Sequence, residues 1–230
     1  MEYDVKFPVE ANYDFKKPGE MALYHAYSDL MPFRSVIETT NVSLSAIKEY
    51  YFKGSRKARE EGDPVTEEWA MTSGMLYLAR AMPLSYYSLV LVMVSLLEEA
   101  FNTLCHSYYI IINRFQIKQK DMTGKGLERS INYLEKVVNV RGIKADQNWE
   151  YVKTIIEARN MIVHNGGRVI GKKDTYEKFG FYLYEEDGRL GFEYEDIIRM
   201  YEAILEFIER IFRIQPNEVG KNDVVRTTSK

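Results

Sequence analysis

Between Leu84 and Ile112 the chain carries its most apolar stretch, and the middle of it, Leu89 to Leu97, is hydrophobic nearly all the way round a helix. A helix with no polar face has to be enclosed by other elements. The rest of the chain is therefore expected to pack around one central helix. Glu98, Glu99, Asn102 and His106 interrupt the stretch, so its unbroken part falls short of the roughly 20 residues that span a bilayer. We read it as a core helix with no membrane partner. At least one of Glu98 and Glu99 must face inward or pack near an interface, and a cation such as Arg159 would satisfy it. The chain has 230 residues, 46% of them hydrophobic, which is enough to bury a sizeable core.

The flanking pattern is helical almost throughout. Residues 1–19, with Pro8 and Pro18, read as an extended arm. A helix is expected over Glu20–Phe52, kinked or broken at Pro32. Lys53, Arg56, Lys57 and Arg59 then form a basic run that reads either as a solvated helix end or as a phosphate-contacting patch. Thr66, followed by Glu67 and Glu68, predicts an N-cap and a helix toward Arg80. Pro83 opens the central helix, which should reach about Arg114. Beyond a Gly124–Gly126 turn, Leu127, Ile131, Leu134, Val137 and Val138 predict a helix ended by Arg141–Gly142. Phe179, Phe181 and Leu183 alternate with polar or small residues, and Glu185–Gly188 is a turn signal, so Lys178–Phe192 reads as a β-hairpin. The last helix runs from about Ile197 to Phe212, before Pro216 and a polar tail. The expected fold is an all-α bundle with one small hairpin before the last helix. It is expected in three stretches: an N-terminal arm and helical extension over 1–82, a helical core over 83–215, and a tail over 216–230.

The sharpest local feature closes the segment Trp149–His164. There Trp149, Val152, Ile155, Ile156, Ile162 and Val163 recur at helical spacing, with Arg159 inside the apolar pattern. Asn165-Gly166-Gly167 follows, a strong helix stop, straight after His164. Elimination leaves this as the one candidate site. His25, His106, His164 and the single Cys105 have no metal-ligand spacing, so no metal site is expected. Cys105 lies in an apolar run, where a buried inert thiol is the natural reading, and one cysteine without a disulfide fits a reducing cytosol. There is no phosphate-binding glycine loop and no nucleophile elbow, so no cofactor is expected. The N-terminus, with Glu2, Asp4 and Lys6, has no apolar signal region. The net charge of -3 means that any nucleic-acid contact must come from a local patch.

Asn160 and His164 are four apart and share a helix face, whereas Arg159 lies five residues from His164 and points well away around the axis. The long arginine side chain, the departure from helix at the cap, or a two-fold dimer axis would have to bring them together. Such a set suits phosphoryl transfer on RNA without a metal. Histidine is the side chain that exchanges protons near neutral pH, and a guanidinium offers paired donors to a phosphate whose charge builds in the transition state. Asn160 would orient the ring or hold a phosphate oxygen, with Asn165, Glu98 and Glu99 in support. Arg168, Lys172 and Lys173 just past the cap would hold substrate. Read from spacing alone, an Arg159 that merely neutralises Glu98 or Glu99 stands beside this catalytic reading, and a histidine that merely caps the helix does too.

Arg159-Asn160-Met161-Ile162-Val163-His164-Asn165-Gly166 resembles the R-N-x-x-x-H form of the R-x4–6-H signature of the HEPN superfamily. These are all-α domains of prokaryotic toxins, CRISPR effectors and abortive-infection systems. The earlier segment Leu96-Leu97-Glu98-Glu99-Ala100-Phe101-Asn102 is similar to the acid- and asparagine-bearing core helix of such domains. The resemblance covers roughly residues 84–214. It implies a metal-independent endoribonuclease, acting in the cytoplasm as a homodimer, with Arg159 and His164 of both subunits lining one cleft. Cleavage would follow 2′-hydroxyl attack and leave a cyclic phosphate. A toxin or phage-defence effector of this kind implies RNA as substrate and an antitoxin or regulatory partner. Two alternatives stay open: a non-catalytic HEPN-like module that binds RNA, nucleotide or a partner protein, and a purely structural helical protein. The region before Met82 and the hairpin depart from the minimal domain.

Overall fold

The computed structural model describes residues 13–112, 115–171, 173–184 and 188–216. The protein is all-α with one small antiparallel hairpin before its last helix, and 78% of it is helical. In chain order the helices are α1 (Pro18–Glu61), α2 (Pro64–Leu76), α3 (Met82–Ile112), α4 (Gly126–Tyr133), α5 (Trp149–Asn165), α6 (Lys173–Lys178) and α7 (Tyr194–Phe212). The hairpin strands are β1 (Tyr182–Leu183) and β2 (Leu190–Gly191), paired as Tyr182 with Gly191 and Leu183 with Leu190.

The N-terminal half departs from the expected pattern at its prolines. Helix α1 runs unbroken through Pro32 and on through the basic run to Glu61. It already begins at Pro18, so little of the expected arm is left in the described residues. A proline in a helix removes one hydrogen bond and crowds the carbonyl four residues back, and burial of Leu23, Leu30, Phe33, Ile37 and Leu44 along one stripe outweighs that local cost. Helix α2 is capped by Asp63 rather than Thr66. The Asp63 carboxylate accepts from the Thr66 N–H at 3.1 Å and from its hydroxyl at 2.6 Å, while Pro64 occupies the first helical turn. Pro at that position gives up an N–H that had no helical partner anyway.

Pro83 sits in the first turn of α3, as expected, but α3 is not separate from α2. A π-helical turn at Tyr77–Ala81 joins α2 to α3, so Pro64–Ile112 is one continuous helical stretch. The wider π turn relieves the clash that Pro83 would otherwise make with the preceding turn. This joined stretch is long and apolar enough to cross a membrane by composition, yet half of its most apolar window is buried inside the protein, as in a core helix. The α4 segment also ends in a π turn, Leu134–Val138, and stops at left-handed Asn139 (φ 65°) rather than at Arg141–Gly142. Asparagine is the non-glycine residue that tolerates that conformation best.

The chain divides into two compact units, one of Met1–Met31, Ser95–Glu150 and Ile204–Lys230, the other of Pro32–Val94 and Tyr151–Ala203. Both draw on residues on either side of position 82. In the first unit, Phe101 stacks on Phe207 at 5.6 Å between ring centroids and meets Phe212 edge-on at 5.3 Å. Arg210 grips Asp146 with two hydrogen bonds of 2.7 and 3.0 Å. Cys105 is buried, burial pushes its thiol up to about 12, and its Sγ faces the Ser130 carbonyl at 3.6 Å, an inert setting. The side chains of Asn102, Gln119 and Ser130 join in one hydrogen-bonded cluster.

The second unit holds the hairpin. Phe181 and Phe192 pack edge-on at 5.5 Å, Phe192 meets Tyr87 at 5.9 Å, and Leu190 is fully buried. The expected strands are shorter than the alternation predicted, because Lys173–Lys178 coils into α6 and Gly180 (φ 79°) turns the chain. Of the turn signal, 185–187 lie outside the described residues, as do the start of the expected arm, the helix end at 113–114 and the tail beyond 216.

Candidate active site at the end of helix α5

Helix α5 occupies Trp149–Asn165, close to the predicted span. Its buried stripe is Val152, Ile155, Ala158 and Ile162, spaced by three and four as a single helical face requires. Val163, expected on that stripe, is 50% exposed. It follows Ile162 by one residue, which turns it about 100° away from the buried face. Arg159 and Asn160 lie at the edge of the stripe and are half-buried, while His164 is exposed.

The helix ends as its sequence demands. Gly166 (φ 59°) and Gly167 (φ 85°) take left-handed conformations, and the Gly167 N–H reaches back to the Met161 carbonyl at 3.0 Å. Gly167 is also held from outside. A Cβ built on it would stand 2.3 Å from the hydroxyl oxygen of Tyr87, so only a hydrogen fits there. That hydroxyl donates to the Leu190 carbonyl at 2.6 Å, and the Leu190 N–H donates to the Gly167 carbonyl at 3.0 Å. The cap following His164 is thus tied to α3 through Tyr87 and to β2 through Leu190. Tyr87 was not singled out from the sequence, since one tyrosine among 18 gives no local sign that it buttresses a glycine 80 residues away.

Beyond the cap the chain pairs with the hairpin. The Val169 N–H donates to the Gly188 carbonyl at 3.0 Å, and Arg168 stands opposite Arg189 in an antiparallel bridge. Partners in such a bridge carry their side chains on the same face, and like charges there repel. Arg189 escaped sequence reading because its position opposite Arg168 depends on hairpin register alone.

The expected set is gathered in part. Arg159 Nη1 donates to Asn160 Oδ1 at 3.1 Å, and Asn165 Nδ2 faces the Met161 sulfur at 3.2 Å. Among the described residues no hydrogen bond joins His164 to Arg159 or Asn160, in keeping with the five-residue offset, about 140° around the axis. Arg168 is exposed, and Lys173 sits on α6 in an exposed pair with Glu177 at 3.5 Å. Lys172 lies outside the described residues.

Glu98 and Glu99 belong to the first unit, and only Glu98 is half-buried. Its carboxylate lies over Gly126, the first residue of α4, where an added Cβ would meet Oε1. A helix N-terminus favours a carboxylate, so Glu98 has compensation without an arginine. Arg159 spends its one described hydrogen bond on a neutral amide. Near the site, Tyr176 of α6 is buried, its hydroxyl has no hydrogen-bond partner among the described residues, and burial together with the charge of Glu157 raises its pKa. Among the described residues no group of three or more His, Cys, Asp or Glu is placed to hold a metal ion.

No family model matches the chain, and neither does any curated protein or any solved structure.

Proposed function

We propose that the protein is an endoribonuclease of HEPN type that cleaves RNA without a metal ion, by 2′-hydroxyl attack on the adjacent phosphate. The observation that carries this reading is the end of α5, where an exposed His164 precedes a rigidly buttressed cap and a half-buried Arg159 is hydrogen-bonded, among the described residues, only to its neighbour Asn160. His164 would move protons between the 2′-hydroxyl and the leaving 5′-oxygen. Arg159 would turn its unspent donors to the phosphate, oriented by Asn160. Arg168 and Arg189, opposite each other beyond the cap, would hold the neighbouring phosphates of the strand.

A homodimer is part of the proposal. One helix end leaves Arg159 and His164 on different faces, and two ends facing across a two-fold axis would pool them. Val163 and Ile170, 50% and 72% exposed beside the site, supply apolar surface for such an interface. In this reading the protein works in the cytoplasm as a toxin or defence effector, with an antitoxin or other regulatory partner restraining it.

The test is cleavage of a labelled RNA by the purified chain in the presence of a chelator, compared with His164→Ala and Arg159→Ala. Loss of cleavage in both variants, with a cyclic phosphate on the parent's product, is the expected result. Binding of RNA without turnover by the parent would replace this reading with that of a non-catalytic RNA-binding module. Equal cleavage by parent and variants would remove it.

A further inference from the structure

The basic run that ends α1 faces an aromatic pocket between α1 and α2, within the second unit and apart from the α5 site. Tyr50, Tyr51 and Trp69 form its walls, Gly54 and Ala70 its floor, and Lys53 and Lys57 its rim, around a volume of about 320 Å³. The floor is low because the helices approach closely. A Cβ on Gly54 would lie 3.9 Å from that of Ala70, and one on Gly74 would lie 3.1 Å from the Cβ of Tyr51. The rings are already set at angles to one another: Tyr51 and Trp69 at 6.3 Å and 60°, Tyr50 and Tyr51 at 5.5 Å and 71°. Trp69 is 59% exposed and Tyr50 69%. Large aromatic rings left this open are unusual on a surface unless something covers them.

The charges nearby are sorted in a way that leaves the rim cationic. Arg56 is paired with Glu49 at 2.6 Å, Arg59 with Glu67 at 2.7 Å, and Asp63 is spent on capping α2 at Thr66. Lys57 has only a long, exposed pair with Glu61 at 3.6 Å, and Lys53 has no acidic partner among the described residues. Aromatic faces beside Lys53 and the loosely paired Lys57 fit a neutral planar ring with a negatively charged phosphate attached, the arrangement used to hold single nucleic-acid bases. The pocket is at the small end of the range for small-molecule sites, room for one base rather than for a helix.

We propose that this pocket binds a nucleobase with its attached phosphate, the base stacked on the open face of Trp69 or Tyr50 and the phosphate on Lys53 and Lys57. The assignment stands independently of cleavage at His164, and it gives a role to a basic run that the α5 site does not use. A free mononucleotide and a single strand present the same chemistry, so both are probed.

The test uses the full chain and the fluorescence of Trp69, with Trp149→Phe removing the second tryptophan. The ligands are adenosine monophosphate, adenosine, and a single-stranded deoxyoligonucleotide of about a dozen bases, which lacks the 2′-hydroxyl needed for cleavage. The expected result is saturable quenching by the monophosphate or the strand; which of the two quenches at lower concentration identifies the source. Trp69→Ala, followed by anisotropy of a labelled ligand, should weaken binding roughly tenfold or more. Lys53→Glu with Lys57→Glu should weaken the monophosphate but not adenosine, and lower the salt slope of strand binding by about one to two. Trp69, Lys53 and Lys57 are exposed, Trp149→Phe keeps a ring against Phe207, and an unchanged thermal melt confirms that each variant folds. His164→Ala should bind as the parent does, so that loss of cleavage and loss of this site are read separately. Absence of quenching by both phosphate-bearing ligands, or binding indifferent to the double lysine variant, overturns the proposal.

Discussion

Two arginines show how differently this protein treats the same side chain. Arg210 of α7 grips Asp146 with two short hydrogen bonds, and that carboxylate also accepts from the Asn148 N–H at 2.8 Å, just before α5 begins. Its donors are spent on a carboxylate whose side chain is only 8% exposed. Arg159, near the other end of α5, hydrogen-bonds a neutral amide one residue away. A guanidinium facing a buried carboxylate is fixed by the cost of stranding either partner. One facing an amide keeps donors for something that arrives later. The difference makes the start of α5 an anchor and, on the proposed function, leaves its end free to meet substrate.

The comparison breaks most visibly if the two ends respond alike to substitution. On the proposed function, Arg159→Ala and His164→Ala should reduce RNA cleavage by at least about a hundredfold each, with thermal stability within about 0.5 kcal/mol of the parent because both sites are partly or wholly exposed. Cleavage and melting measured on the same preparations decide this. Arg210→Ala should do the reverse. Leaving Asp146 without its partner should cost about 1–3 kcal/mol and lower the melting temperature by several degrees, with cleavage per folded molecule unchanged.

Gly167→Ala probes the buttress between the two behaviours. The methyl group would collide with the Tyr87 hydroxyl in a backbone conformation that alanine resists, so we expect a loss of about 1–3 kcal/mol together with reduced cleavage. Tyr87→Phe, which keeps the ring and removes the bond to the Leu190 carbonyl, should cost about 1 kcal/mol. Chemical denaturation of the pair ranks them.

The smallest effect is one of pH. Arg210, first, and the Asn148 N–H hold the Asp146 carboxyl below its ordinary value. A carboxylate depressed in the folded state contributes stability that is fully present above its unfolded value, about 3.9, and is lost as pH falls through its lower folded value. The stability gap between the parent and Arg210→Ala should therefore be full at neutral pH and narrow below about pH 4. A gap that is constant down to pH 2 would mean that Arg210 acts through packing rather than charge.

Much of this architecture is legible from residue order because it depends on local pattern. The apolar run at Leu89–Leu97, the spacing of Val152, Ile155 and Ile162, the stop at Asn165-Gly166-Gly167 and the α7 stripe each specify a helix or its end through periodicity and glycine chemistry, and those elements are present. Prolines are harder to read locally. Pro32 and Pro83 carry breaking signals, but whether a helix breaks depends on how much buried surface its two halves share and on whether a π turn can absorb the ring. Those are properties of the surroundings, not of the proline.

The candidate site divides the same way. Residue order alone determined that Arg159 and His164 lie on one helix, five apart and before a glycine cap. It also determined that the chain lacks the spacings expected of a metal or thiol site. Tertiary structure decided that His164 and Val163 face solvent, that Tyr87 fills the space a Cβ on Gly167 would need, that Glu98 rests on the N-terminus of α4, and that Arg189 stands opposite Arg168. Backbone geometry repeats every few residues and can be read locally. Contacts between residues 80 positions apart are set by packing and strand register, which no local pattern encodes.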